Sequence, residues 1–328
     1  MSDQDEAKTI LPLTGTMGAG PTLPEKSIDA VTSAMVLMVI AMMFIPLMDV
    51  FSKILSTRYA VSPVMITFVR FAGQAILLFI VILAVQGPRS LTGKHNKINL
   101  LRGMLMGAAV SNFFIAIKYL PLADAIAIFF VEPLIVLLLS SVFLGEKIGL
   151  RRGGAAVFGF CGALVIIQPT YEIFGAKALL PLVTACLFSI YLILSRKFGK
   201  ADHPFTMQFW AGLGGVIMCG ALMIIGEINN LEDFAFTVPE IGPAFLYLAA
   251  VILIATVGHL LIVIAFSRAE ASILAPFQYL EIVTMTIAGY LVFNDFPSAI
   301  KWLGIVMIIS SGLYIFMRER NLEKASSA

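Results

Sequence analysis

The chain has 328 residues, 59% of them hydrophobic and only 13% charged, with a formal net charge of +2. Soluble domains carry about 25% charged residues, so this composition excludes an ordinary soluble globular fold and gives no basic surface for nucleic acid. With a mean hydropathy of +0.97 and many long apolar runs, it predicts a polytopic membrane protein.

Residues 1–29 are polar, rich in Gly, Pro and Thr, with Asp3, Asp5, Glu6 and Lys8. No basic segment stands directly before an apolar one, so this stretch reads as a disordered tail and not as a cleaved leader. Ten apolar spans follow: Ala30–Ile54, Val64–Val85, Leu101–Tyr119, Leu122–Leu144, Gly153–Ile167, Leu179–Leu194, Phe205–Ile225, Ile241–Phe266, Ser272–Phe293 and Pro297–Phe316. Crossing the hydrocarbon takes about 20 helical residues, so the shorter spans should extend into their flanks. Residues 319–328 form a second tail.

Charge tests this count. If both termini face the cytoplasm, the cytoplasmic connections hold Arg89, Lys94, Lys97, Arg102, Lys147, Arg151, Arg152, Arg196, Lys197, Lys200 and Arg268. The opposite side has Lys53, Arg58, Lys118, Lys177 and Lys301, together with Glu227, Glu232 and Asp233. The bias follows the positive-inside rule and predicts a bacterial inner-membrane protein with cytoplasmic termini.

The stretch Ala116–Lys147, AIKYLPLADAIAIFFVEPLIVLLLSSVFLGEK, has an echo at Ala265–Asp295, AFSRAEASILAPFQYLEIVTMTIAGYLVFND. An offset of 149 positions lays Glu132 on Glu281 and Gly145-Glu146 on Asn294-Asp295. Five spans lie in each half, 30–169 and 170–318, so the second half enters the membrane in the opposite sense. The predicted fold is therefore all-α, with ten transmembrane helices in two inverted five-helix repeats, an arrangement that secondary transporters use.

Polar groups inside such spans mark function or helix contacts. Asp49 and Lys53, one turn apart, share a helix face, and Arg70 lies at similar depth. They read either as an ion-pair network or as the charged wall of a cavity. Glu132 and Glu281 sit near mid-membrane, where a carboxylate must be paired, protonated or wetted. Cavity lining, proton coupling and plain helix packing all fit them. Pro133 and Pro276 remove helical hydrogen bonds and should bend their spans. Asn112, Tyr191, Gln208, His259, Gln278 and Tyr279 add polar or aromatic surface, each equally able to join two helices. Trp302 suits an interface belt, while Trp210 lies deeper, as packing or cavity lining. Glycines at 153, 154, 159, 162, 212, 214, 215 and 220 suit close helix packing better than a phosphate loop. His259 has no companion ligand, Cys161, Cys186 and Cys219 form no framework, and no nucleophile motif occurs. Neither an enzyme, a metal nor a cofactor is expected.

The run AIKYLPLADAIAIFFVEPLIVLLLSSVFLGEKIGLRRGGAAVFGFCGALVIIQP, with its echo, MDVFSKILS and Val69–Phe71, resembles the ten-helix EamA-type branch of the drug/metabolite transporter superfamily over about residues 30–318. The resemblance implies a central cavity enclosed by helices one to four and six to nine, with helices five and ten peripheral. It places Asp49, Arg70, Asn112, Glu132, Gln208, His259, Gln278 and Glu281 near a transport route; Tyr191 and Tyr279 join that set from the residue reading. Glu281 is followed by Ile282, not by the family's usual Pro. The implied function is alternating-access transport of a small polar or amphipathic organic metabolite, either proton-coupled, by exchange or by facilitated diffusion, in a monomer or homodimer surrounded by lipid. The alternative is a solute sensor or scaffold that keeps the fold without transport.

Overall fold

A computed structural model describes residues 28–144, 150–198, 203–239, 242–268, 274 and 277–327. The expected tail over 1–27, Gly145-Glu146, Lys147, Lys200 and Pro276 lie outside the described residues. Eleven helices are described: α1 Ile28–Arg58, α2 Pro63–Val85, α3 Asn96–Tyr119, α4 Leu122–Phe129, α5 Glu132–Leu144, α6 Leu150–Phe174, α7 Leu180–Phe198, α8 Pro204–Asn229, α9 Pro243–Arg268, α10 Leu280–Phe293 and α11 Ala299–Ser327. Most run several residues past the expected spans, because helices continue through the headgroup region once their backbone is bonded. The last helix carries on through most of the expected C-terminal tail.

Local chemistry sets the ends. Ser62 caps α2, its Oγ accepting from the Met65 amide at 3.1 Å, and Pro63 opens the helix where no amide partner is needed. His203 and Pro204 repeat the device at α8, the ring Nδ1 accepting from the Phe205 amide at 3.3 Å. Asn230 and Asn294 close α8 and α10 in the left-handed region at φ 52° and 58°. Gly175, at φ +62°, turns the chain between α6 and α7, so the 43-residue apolar stretch Gly153–Ser195 folds back as two crossings.

The helices pair as an inverted repeat demands. If α1, α2, α3, α4–α5 and α6 correspond to α7, α8, α9, α10 and α11, then α1–α9 and α3–α7 are one contact seen twice. So are α1–α10 and α5–α7, and so are α3–α8 and α2–α9; α2–α8, α4–α10 and α6–α11 each lie on the symmetry axis. All of these contacts are present. Small residues set the closest approaches. A side chain at Gly103 or Gly214 would strike the facing backbone of Ala211 or Leu100, so α3 and α8 cross backbone to backbone. Gly162 and Gly304 do the same for α6 and α11, whereas Gly154 faces open space. Gly214→Leu is expected to destabilise the bundle by about 3 kcal/mol or more, read as thermal unfolding in detergent.

The outside is apolar: Val142, Leu291, Ile228, Leu246 and Val85 are each more than 70% exposed. In water this would be an aggregation liability, and in a bilayer it is the lipid contact. Hydrogen bonds locate the two ends. Lys118 meets Asp233 at one end, and at the other Arg102 donates to Ser195 and Trp210 Nε1 to the Leu91 carbonyl, at 2.9 and 2.8 Å. Trp210 is therefore packing. The second end, which also holds Arg89, Lys94, Lys97, Arg151 and Arg268, is called the basic end below.

Candidate functional site

The expected fourth span is not one helix. It breaks at Phe130–Val131, between α4 and α5. Pro133 lacks the amide that would bond the Phe129 carbonyl, so the turn before it loosens, and the Phe130 and Val131 amides turn back to Ile126 and Ile128. The ninth span is interrupted at Tyr279, just before α10. Under the 149-residue offset, Tyr279 is the counterpart of Phe130. The two rings lie against each other at 5.3 Å between centroids. The breaks of the two halves thus meet on the pseudo-two-fold axis, and each delivers a glutamate two residues later.

Between the halves lies a cavity of about 160 Å³. Eight of its wall positions form four repeat-related couples: Val110 with His259, Phe113 with Ile262, Phe129 with Gln278, and Glu132 with Glu281. The rest of the wall is unequal. The first half adds Asp49 and Arg70, and the second adds Thr184 and Phe188. A symmetric frame therefore carries an asymmetric charge pattern.

Of the ten expected route residues, Asp49, Arg70, Glu132, His259, Gln278 and Glu281 line this cavity. The other four do not. Asn112 donates to the Leu180 carbonyl at 2.6 Å and to Thr184 Oγ1 at 2.8 Å, strapping α3 to α7. Tyr191 stacks on Phe188 and faces the Arg102 guanidinium. Gln208 sits on α8, which contributes nothing to the wall; its carbonyl accepts from Gln74. Tyr279 stands behind Phe130, against Gly312. Helices one to four and six to nine were expected around the cavity, with five and ten outside; α6 and α11 give the wall no residue, and neither does α8, the seventh crossing. Asn112→Ala is expected to cost about 1 kcal/mol of stability while leaving solute flux within twofold once folded protein is counted.

Sequence reasoning missed the apolar wall. Met42, Met48 and Met106 line one part, and Phe113, Phe114, Phe129, Phe130 and Phe188 another. The rings form a chain: Phe113–Phe129 at 5.7 Å, Phe129–Phe188 at 5.6 Å and Phe129–Phe130 at 5.9 Å. Such edges and faces suit a flat unsaturated ring, and methionines adapt to its outline.

The polar groups are individually placed. His259 Nδ1 lies 2.8 Å from the Ala255 carbonyl, which can only accept, so Nδ1 carries a proton and Nε2 is left for the cavity. Lys53 turns away from Asp49: it donates to the Leu120 carbonyl at 2.7 Å and pairs with Asp295 at 3.4 Å. Asp49 and Arg70 therefore stand in the cavity wall, while Lys53 belongs to an ion pair between the halves. Among the described residues no group of His, Cys, Asp and Glu could hold a metal ion.

The sequence profile of the EamA-like transporter family matches residues 32–168 and again 176–317. The chain belongs to that family and is a multi-pass membrane transporter built from two copies of its domain. It is 28% identical to a riboflavin transporter of Rhizobium johnstonii over 88% of this chain and 92% of that one. It is 28% identical to an S-adenosylmethionine uptake transporter of Rickettsia bellii, over 83% and 89%. It is 26% identical to the pseudopaline exporter CntI of Pseudomonas aeruginosa, over 86% and 95%. A solved structure known only as the crystal structure of a protein superposes with a TM-score of 0.60 at 18% identity, over 90% of this chain and all of that one, which shows the shared fold. The family and its named relatives are transporters and not enzymes, and they do not favour a non-transporting scaffold.

Proposed function

We propose that this protein carries a small amphipathic organic metabolite, with a flat unsaturated ring and a polar end, across the bacterial inner membrane. The observation that carries this reading is one cavity on the repeat axis where five phenylalanines meet Arg70, Asp49, Glu132 and Glu281. A ring stacks on the aromatic wall while polar groups fix the other end. The named relatives support it: riboflavin and S-adenosylmethionine each join a fused heteroaromatic ring to a polar chain. The positive-inside rule puts the basic end and both termini in the cytoplasm.

Transport proceeds by exposure of the cavity first to one side and then to the other, each half rocking against its partner. Glu132 and Glu281 are the coupling carboxylates, since they follow the two helix breaks at equivalent positions and face the same space. A proton taken up at this pair makes one direction of travel favourable. The test is flux into liposomes holding the purified chain, over a panel of vitamins, nucleoside derivatives and amino acids, with and without a pH gradient. Solute-specific flux that the gradient drives uphill is expected. Glu132→Gln and Glu281→Gln are expected to lose the uphill component while keeping exchange. Gradient dependence unchanged in both variants would remove them as proton carriers, and the absence of flux for the whole panel would defeat the proposal.

A further inference from the structure

We infer that Arg70 is the seat of a carboxylate on the transported solute, so that the substrate class is an aromatic organic acid or zwitterion. The inference rests on the proposed transport site and narrows what enters it. Arg70 is 1% exposed and lines the cavity, yet its Nε and Nη1 are buried with no hydrogen-bond partner among the described residues. The ion pairs among the described residues use Lys53, Lys118 and Lys301, and none includes Arg70. A guanidinium has five donors and remains charged at any pH the protein meets. Left without partners in a low-dielectric interior it is expensive, and a native fold keeps such a group where something arrives to satisfy it.

The guanidinium is also held in place. It lies over the Phe71 ring at 4.4 Å from the centroid. Phe71 in turn occupies the space that a side chain at Gly215 would fill. Arg70 is thus held by a packed ring, and it stands in the cavity wall. Asp49 shares the wall and supplies a compensating charge without forming a pair. The same wall holds the aromatic chain of Phe113, Phe129 and Phe188. An acid group on Arg70 and a ring on these phenylalanines describe one molecule.

Charge count chooses between acids. The wall holds one Arg against Asp49, Glu132 and Glu281, and His259 is the only other basic side chain. One guanidinium balances one anionic charge, so a doubly charged phosphate would leave a second charge without a partner. A carboxylate brings one charge and takes two guanidinium donors side by side. A zwitterion adds an ammonium for which the carboxylates are natural neighbours.

The experiment uses the full chain in detergent and matched probes: benzoate, 3-phenylpropionate and indole-3-acetate, each against its own amide, with phenyl phosphate and chloride as further arms. Binding is read by ligand-induced thermal shift and by titration. Each acid is expected to bind at least about tenfold more tightly than its amide, the difference a charge-assisted bond makes. In Arg70→Met that preference should vanish, and in Arg70→Lys it should shrink but persist, since the charge stays and the planar fork is lost. Acid and amide binding alike, or a preference that survives in Arg70→Met, overturns the inference. Protection by chloride or phenyl phosphate equal to that by the acids overturns it too, for then Arg70 only gathers counterions. If Arg70→Met does not fold, the wild-type comparison and the Lys variant still decide. Flux of neutral solutes with no acid preference would sink this inference and leave the transporter reading standing.

Discussion

Lys301→Met is expected to destabilise the protein by about 3–5 kcal/mol, the cost of leaving a buried carboxylate without its cation. Lys301 Nζ meets Asp124 Oδ2 at 2.5 Å, with the two side chains 12% and 2% exposed. Thr170 Oγ1 lies 3.3 Å from the same oxygen, but its single proton is shared with the nearer Ile166 carbonyl of its own helix at 2.9 Å. The double variant Asp124→Leu/Lys301→Met removes both charges and fills the space with carbon. It is expected to regain most of the loss, because a buried pair is worth little more than good apolar packing while half a pair is costly. Unfolding of purified protein in mixed detergent, followed by tryptophan fluorescence, measures both. A single variant as stable as the parent would show that the bundle does not depend on this link.

The second large effect concerns motion. Three ion pairs join described residues: Lys53–Asp295, Lys118–Asp233 and Lys301–Asp124. Each ties the first half to the second, and all lie at the end opposite the basic one. At the basic end, the bonds between halves among the described residues run to neutral partners, as with Arg102 to Ser195 and Arg268 to Ser33. This conformation is therefore clamped at one face. Lys53→Met removes the 3.4 Å pair with Asp295 and the 2.7 Å bond to the Leu120 carbonyl together. It is expected to raise access to the cavity from the clamped face by about tenfold, a shift of about 1.4 kcal/mol between the two openings. The rate at which a membrane-impermeant thiol reagent reaches a cysteine in the cavity reads this directly. No change in that rate, with the fold intact, would mean that the clamp does not set the equilibrium.

What could be read from residues alone has a physical pattern. Asp49, Arg70, Glu132 and Glu281 were legible because a charge in an apolar span has few tolerable places, and a cavity is the chief one. The two halves were legible because repeat positions share an environment. Asn112 and Gln208 were not placed, because a neutral polar group can be satisfied by any neighbouring carbonyl. The aromatic and methionine wall was invisible for a different reason: lipid-facing and cavity-facing positions of a membrane helix are both apolar, so Phe129 in the site and Phe143 on the outside look alike in sequence. Pro133 announced a bend, but that its counterpart break would fall at Tyr279 and stack on Phe130 needed three dimensions.

One cavity between the halves is expected to be reached in turn from both membrane faces. A single cysteine at Val110, in a chain with Cys161, Cys186 and Cys219 replaced by serine, tests it in liposomes of defined orientation. An impermeant maleimide is expected to modify Val110→Cys from either side, to be slowed by transported solute, and to stop flux once modification is complete. Modification from only one side under every condition, or flux that continues through a fully modified protein, would contradict the account.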